Sequence, residues 1–470
     1  MSAGRYDTGM GSPRLERRRR RRADAAWPHL ALGAALAVSC DPATKSGTQV
    51  STSLDEATPP GPRRASAAVV TSTRTRPPTT PTRRPEDVDS TLRQAIDDSA
   101  AYLTRACGPS GRFVYRMRLA PDETVAPSYN VLRHAGSMYA LAQVQGLWPR
   151  AEIAAAIGRA STYLWTYATP PAGQPDDGML AVWSAKKPDV AKLGGAGLLL
   201  VAMGQLKAIG AELGDDSRVA RVAAFVRSMQ KPDGGFHSKH FRGRGPDDSW
   251  TSLYYPGEAA LGLVLVGGDD NRRAATDALT FLARSRRDAR RVPPDHWALI
   301  ATGALLAGPV AETTRAELLV HARQVVDQIL DSARAADGPL AGSWGRDGRT
   351  TPTATRLEGL IAAWDYLTEA EDEGRRARMR RAIEEGIAFL LRARVTEDPH
   401  RGAMPRSITW SSPQPSSSRA DEVRIDYVQH ALSAWIGWGL RRPGDEETSA
   451  TAEPTPPADQ RASSPGKSKK

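Results

Sequence analysis

Between residues 89 and 441 helical periodicity dominates and strand-like alternation is scarce. The apolar spacing predicts twelve helices in six successive pairs: about 89–106 with 128–146, 151–168 with 192–210, 216–230 with 252–267, 271–286 with 294–308, 313–334 with 352–368, and 371–395 with 421–440. A period of roughly 50–60 residues marks a repeat architecture, in which no single unit can bury its apolar face alone. The two members of each pair differ in kind. First members, such as Arg218-Val-Ala-Arg-Val-Ala-Ala-Phe-Val-Arg227, carry charge along one face. Second members are poor in charge and rich in small residues, as in Gly194-Gly-Ala-Gly-Leu-Leu-Leu200, Gly257-Glu-Ala-Ala-Leu-Gly262 and Ala301-Thr-Gly-Ala304. A helix apolar nearly all round has to be buried, and its glycines let neighbours approach closely. The body is therefore expected to be all-α. Six inner helices are wrapped by six outer ones, an (α/α)6 toroid closed by setting the sixth pair beside the first.

The connections within the pairs repeat as well. Gly111-Arg-Phe113, Asp233-Gly-Gly-Phe236, Gly342-Ser-Trp344 and Gly402-Ala-Met404 each place glycine and then a large apolar residue after a first helix. Glycine permits the tight turn, and the large side chain can plug the gap between adjacent pairs. Gln230-Lys-Pro-Asp-Gly-Gly-Phe236 resembles the glutamine-to-aromatic repeat of squalene cyclases and protein prenyltransferases. With six pairs, residues 89–441 resemble that toroid group together with the six-hairpin glycosidases and uronate C5-epimerases. The resemblance implies a ligand pocket at one end of the inner barrel, lined from the N-terminal ends of the inner helices. It does not carry over the chemistry of every relative. The sequence holds no Asp-x-Asp-Asp, which argues against terpene protonation in the squalene-cyclase manner. The body has one cysteine, Cys107, so the cysteine- and histidine-bound zinc of prenyltransferases and lanthionine cyclases is not expected. No metal and no cofactor is expected, apart from incidental calcium at Asp247 and Asp248. No glycine-rich phosphate loop follows a strand, which disfavours nucleotide chemistry.

The flanks are of another composition. The net charge of +11 is concentrated in the run Arg17 to Arg22 and the ending Lys467-Ser-Lys-Lys470, so the body is nearer neutral and no nucleic-acid partner is expected. The arginine run precedes Leu30-Ala-Leu-Gly-Ala-Ala-Leu-Ala-Val-Ser-Cys40. A basic head, an apolar stretch and small residues before a cysteine resemble a bacterial lipoprotein signal, with Ala37 where leucine is usual. Residues 1–40 are read as that leader, Cys40 as the lipidation site, and the extracytoplasmic cell envelope as the location. The lipid is expected to be the one membrane contact, since no other segment approaches the about 20 apolar residues of a spanning helix. Residues 41–88, rich in Thr, Pro and Arg, read as a flexible tether, and 442–470 as a similar tail. With Cys40 lipidated, Cys107 has no partner within the chain, and a monomer is expected.

Two inner helices carry matching polar stripes. Asn130, Arg133, His134 and Ser137 fall at i, i+3, i+4 and i+7, and Asp426, Gln429, His430 and Ser433 repeat that spacing. Ring closure makes the two stripes neighbours. The other inner-helix entries add Trp250, Tyr254, Tyr255 and Glu258; Asp295, His296 and Trp297; and Thr355, Arg356 and Glu358. Aromatic rings that stack on pyranose faces, beside groups that read hydroxyls, make a sugar site. Substrate binding is assigned to Tyr129, Asn130, Arg133, Trp250, Tyr255, Trp297, Arg356, Arg424 and Gln429. Acid–base chemistry is assigned to His134, Glu258, Asp295, Glu358, Asp426 and His430. Hydrolysis would draw two carboxylates from Glu258, Asp295, Glu358 and Asp426. Elimination or epimerisation of a uronate would use Asn130, Arg133 or Arg356 as neutraliser and Tyr129, His134 or His430 as proton mover. The expected function is an envelope-tethered enzyme acting on a polysaccharide or glycoconjugate. The alternative is a non-catalytic toroid that binds glycan or a protein partner.

Overall fold

A computed structural model describes residues 84–441 except 126–128, 177, 212–215, 334–336, 346 and 369–371. The leader with Cys40, nearly all of the tether and the tail lie outside the described residues. The helices are α1 (Ser90–Ala106), α2 (Val131–Leu147), α3 (Ala151–Trp165), α4 (Leu193–Ala208), α5 (Asp216–Ser228), α6 (Tyr255–Val266), α7 (Asp269–Arg286), α8 (His296–Leu306), α9 (Glu312–Asp331), α10 (Thr350–Trp364), α11 (Glu373–Ala393) and α12 (Ile425–Gly439). Among the described residues no helix is long and apolar enough to cross a membrane.

The even-numbered helices pack each on the next, from α2 on α4 round to α10 on α12, and α12 packs on α2. The odd-numbered helices lie outside them. This is the (α/α)6 toroid. Composition explains which helix goes where. Every residue of α4 from Leu193 to Gly204 is buried, whereas α5 buries only Val222, Ala223, Phe225 and Val226. The inner helices also come unusually close. A methyl group on Gly197 would lie 2.8 Å from the Ala259 backbone nitrogen of α6, and one on Gly257 would lie 2.7 Å from that of Ala298 in α8.

The repeated turns pack as their spacing suggests. Gly111, Gly234, Gly342 and Gly402 all have positive φ, between 81° and 91°. A side chain at each would strike a backbone carbonyl of the adjacent outer helix, at Arg159, Asp277, Glu385 and Asp98 respectively. The large residues that follow, Phe113, Phe236, Trp344 and Met404, are buried. The turn after α11 therefore lands on α1, and Ser99 Oγ donates to the Gly402 carbonyl at 2.8 Å.

The fold is not helical throughout. Eight short strands occupy the described connections: β1 (Arg116–Leu119), β2 (Asp122–Thr124), β3 (Ala168–Thr169), β4 (Ala181–Val182), β5 (Val190–Lys192), β6 (Lys239–Phe241), β7 (Gly245–Asp247) and β8 (Glu422–Arg424). They form the sheets β2-β1-β8, β3-β4 and β5-β6-β7. Strand β8 leads straight into α12 and β5 into α4, so the sheets fix where two inner helices begin. The β1–β8 pairing ties the first hairpin to the last.

Candidate functional site

A cavity of about 570 Å³ opens at the N-terminal ends of the inner helices. Helix α2 contributes Asn130 and Arg133; α6 contributes Tyr254, Tyr255 and Glu258; α8 contributes His296 and Trp297. Helix α10 adds Thr351, Thr355 and Arg356, and α12 with its preceding strand adds Arg424, Asp426, Tyr427, Gln429 and His430. From α4 comes Leu198 alone.

Two histidines and a carboxylate meet at its floor. His430 Nδ1 lies 2.7 Å from Glu358 Oε2, and His296 Nε2 lies 3.9 Å from the same oxygen. The imidazole centroids are 5.6 Å apart with the rings at 74°. Burial pushes the Glu358 carboxyl up. Burial alone would lower His430, but the charge and hydrogen bond of Glu358 outweigh it and leave His430 raised. The pair thus retains a proton. His296 is the opposite case. Burial, then the charges of His430 and Arg356, hold it well below its ordinary value, and neither ring nitrogen has a hydrogen-bond partner. It is a neutral imidazole with a free lone pair. The three ligand atoms of His296, Glu358 and His430 lie within 4.8 Å of one another, the one such group among the described residues that could hold a metal ion. The count of cysteines did not foresee it.

Beside this floor Asp426 is clamped. Arg133 Nε approaches its Oδ2 at 3.0 Å, and Arg424 Nη2 donates to the same oxygen at 2.9 Å. Burial alone would raise Asp426, but the two arginines hold it below the ordinary carboxylate value. Arg133 also donates to the Tyr115 hydroxyl. Glu258 is 5% exposed and its Oε2 has no partner. Burial and the nearby Asp295 push it well up, so it keeps its proton.

Four expected site residues lie elsewhere. His134 is fully buried between α2 and α3, with Nε2 2.8 Å from the Ala160 carbonyl and Nδ1 2.8 Å from the Tyr129 hydroxyl. Burial lowers its pKa to about 4. A carbonyl can only accept, so Nε2 carries the proton and Nδ1 accepts from Tyr129, which itself accepts from the Phe113 amide. His134 and Tyr129 form a core network, not a reaction site. Asp295 accepts from the Ala298 amide at 3.1 Å as the cap of α8 and is paired to Arg286 at 2.9 Å. Its neighbour His296 faces the cavity instead. Trp250 is 44% exposed, beneath the Lys239 ammonium and edge-on to Tyr255. Of the suggested calcium residues, Asp248 is paired with His237 at 2.8 Å and Lys231 at 3.6 Å. Conversely, Arg349, Arg406 and Tyr427 line the cavity and were not foreseen. The first two come from connections, where periodicity carries no signal.

Neither a protein-family model nor a curated protein matches this chain. Solved structures share its fold. A D-mannose isomerase superposes with a TM-score of 0.56 at 12% identity, covering 74% of this chain and 98% of that one. A sugar epimerase from a ruminal bacterium gives 0.55 at 12%, with 75% and 99% covered. An α-1,6-mannanase of Salegentibacter in complex with α-1,6-mannotriose gives 0.52 at 9%, with 74% and 99% covered. At these identities the likeness is one of fold.

Proposed function

We propose that this toroid is an enzyme that moves a proton at the carbon beside a sugar carbonyl, converting an aldose to its ketose isomer or C2 epimer. The observation that carries it is the pair of cavity histidines, His430 holding a proton through Glu358 and the buried His296 neutral with both nitrogens free. Such a split of proton affinities assigns the base and the acid. His296 takes the proton from the carbon, and the C–H electrons move toward the carbonyl. His430 supplies a proton to the resulting enediolate. Delivery at the neighbouring carbon, with the O2 proton passing to O1, gives the isomer; return to C2 from the opposite face gives the epimer, and proton exchange with water then resets the two histidines. Arg133 and Arg424, fixed by Asp426, are placed to stabilise the negative charge of that intermediate. Aromatic walls from Tyr254, Tyr255 and Trp297 suit a sugar ring.

The carboxylates support this reading over hydrolysis. Glu258, raised by burial, has the character of a general acid, but no free ionised carboxylate stands ready as its nucleophile or base: Asp295 and Asp426 are bound by arginines and Glu358 by His430. The fold likeness to a D-mannose isomerase and a sugar epimerase points the same way. The test is incubation in deuterated water with a panel of aldoses, their phosphates and their uronic acids, read by proton NMR. Loss of the C2 proton signal, slowed about 10²–10⁴-fold in His296→Asn and in His430→Asn, is expected. Release of mannose from an α-1,6-mannan without any exchange would replace this reading with hydrolysis.

We also propose that the toroid works outside the cytoplasm, held to the envelope by lipid on Cys40. Cys40→Ser should then move the protein from the membrane fraction to the soluble one.

A further inference from the structure

The cavity is far more basic than a neutral sugar requires. Five arginines line it, Arg133, Arg349, Arg356, Arg406 and Arg424, against the carboxyls of Glu258 and Asp426. Asp426 is shared by Arg133 and Arg424, Arg349 is paired to Asp347 at 3.0 Å, and Glu258 is uncharged. Arg356 and Arg406 are left with no carboxylate at ion-pair distance among the described residues. Arg356 donates one Nη to the Pro352 carbonyl, a turn back in its own helix, and its Nε is buried without a partner. Arg406 reaches only the Tyr427 hydroxyl, at 3.5 Å. A half-buried guanidinium facing a cavity with unused donors lacks its counter-charge.

We propose that the substrate is an anionic sugar, whose phosphate or carboxylate is held by Arg356 and Arg406. Guanidinium groups match either oxyanion through paired N–H donors. The inference rests on the isomerase reading of the same site and deepens it.

The test uses the full chain with mannose, mannose 6-phosphate and glucuronate, each measured for binding by calorimetry and for proton exchange in deuterated water. One anionic sugar is expected to bind at least about tenfold more tightly than mannose, with the advantage falling as salt rises. The phosphate and carboxylate arms identify which oxyanion is meant. Arg356→Gln and Arg406→Gln, checked for folding by thermal melting, should each erase about tenfold of that preference. Equal binding of mannose and both anions, or a preference that survives the double substitution, would overturn the anion site. Exchange on mannose without an anionic advantage leaves the isomerase reading standing alone. Arginine-dependent binding of an anionic sugar with no exchange leaves the anion site standing and removes the isomerase.

Discussion

His296 and His430 are the same side chain in the same cavity, yet their surroundings pull them in opposite directions. Because His296 lies well below 6.5, it is a base throughout the neutral range; because Glu358 raises His430, the acid survives above 6.5. The pH profile of kcat/KM should therefore hold a plateau across neutrality and fall on the alkaline side as His430 loses its proton. Glu358→Gln removes the charge that raises His430 and should move that alkaline limb to lower pH. Glu258 makes a separate statement about stability. Its folded pKa lies well above 4.5, so folding takes up a proton there. That contribution is complete below 4.5 and is lost as pH climbs through the raised value. Glu258→Gln mimics the protonated acid, so melting temperatures at about pH 5 and about pH 9 should show the variant gaining on the wild type as pH rises. At this scale the sequence was only half legible. Asn130, Arg133, Glu258, Arg356, Asp426 and His430 reach the cavity or its floor, but His134 does not. Arg133 and His134 are successive residues, about 100° apart on the helix, and spacing alone does not say which edge of a polar stripe faces the lumen. Asp295 and His296 pose the same question at a helix entry, where one residue caps the amides and the next looks inward.

The helices were the legible elements. Their expected ends differ from the observed ones by a few residues, because a buried inner helix and a one-faced outer helix write different patterns over a dozen or more positions. The strands were invisible for the converse reason. Segments of two to four residues are too short for alternation to register, and their pairing is with distant chain, as between β1 and β8. Glycine was readable in kind but not in partner. Gly197 sits against the Ala259 backbone, so Gly197→Ala should force α4 and α6 apart and cost about 1–3 kcal/mol in urea unfolding. Gly210 is the opposite case, at positive φ with no atom near its missing side chain, so Gly210→Ala should show a backbone cost without a packing cost.

For the whole molecule the critical seam is where the sixth hairpin meets the first. There Asp98 and the partly buried Arg394 pair at 3.0 Å beside the Ser99–Gly402 hydrogen bond. Asp98→Ala leaves the arginine alone and should lower stability by about 3 kcal/mol, measured by equilibrium unfolding. The clamp of Arg133 and Arg424 on Asp426 spans the same seam, so opening it should dismantle the site along with the ring. This closure gives the chain a particular history during synthesis. Helix α2 leaves the ribosome early, but the flank that α12 will cover stays apolar and bare until almost the last described residue has been made. Until then the chain is an arc with two apolar ends and without the cavity that closure completes. A stop anywhere before α12 should therefore leave an open, aggregation-prone fragment in which the cavity does not form.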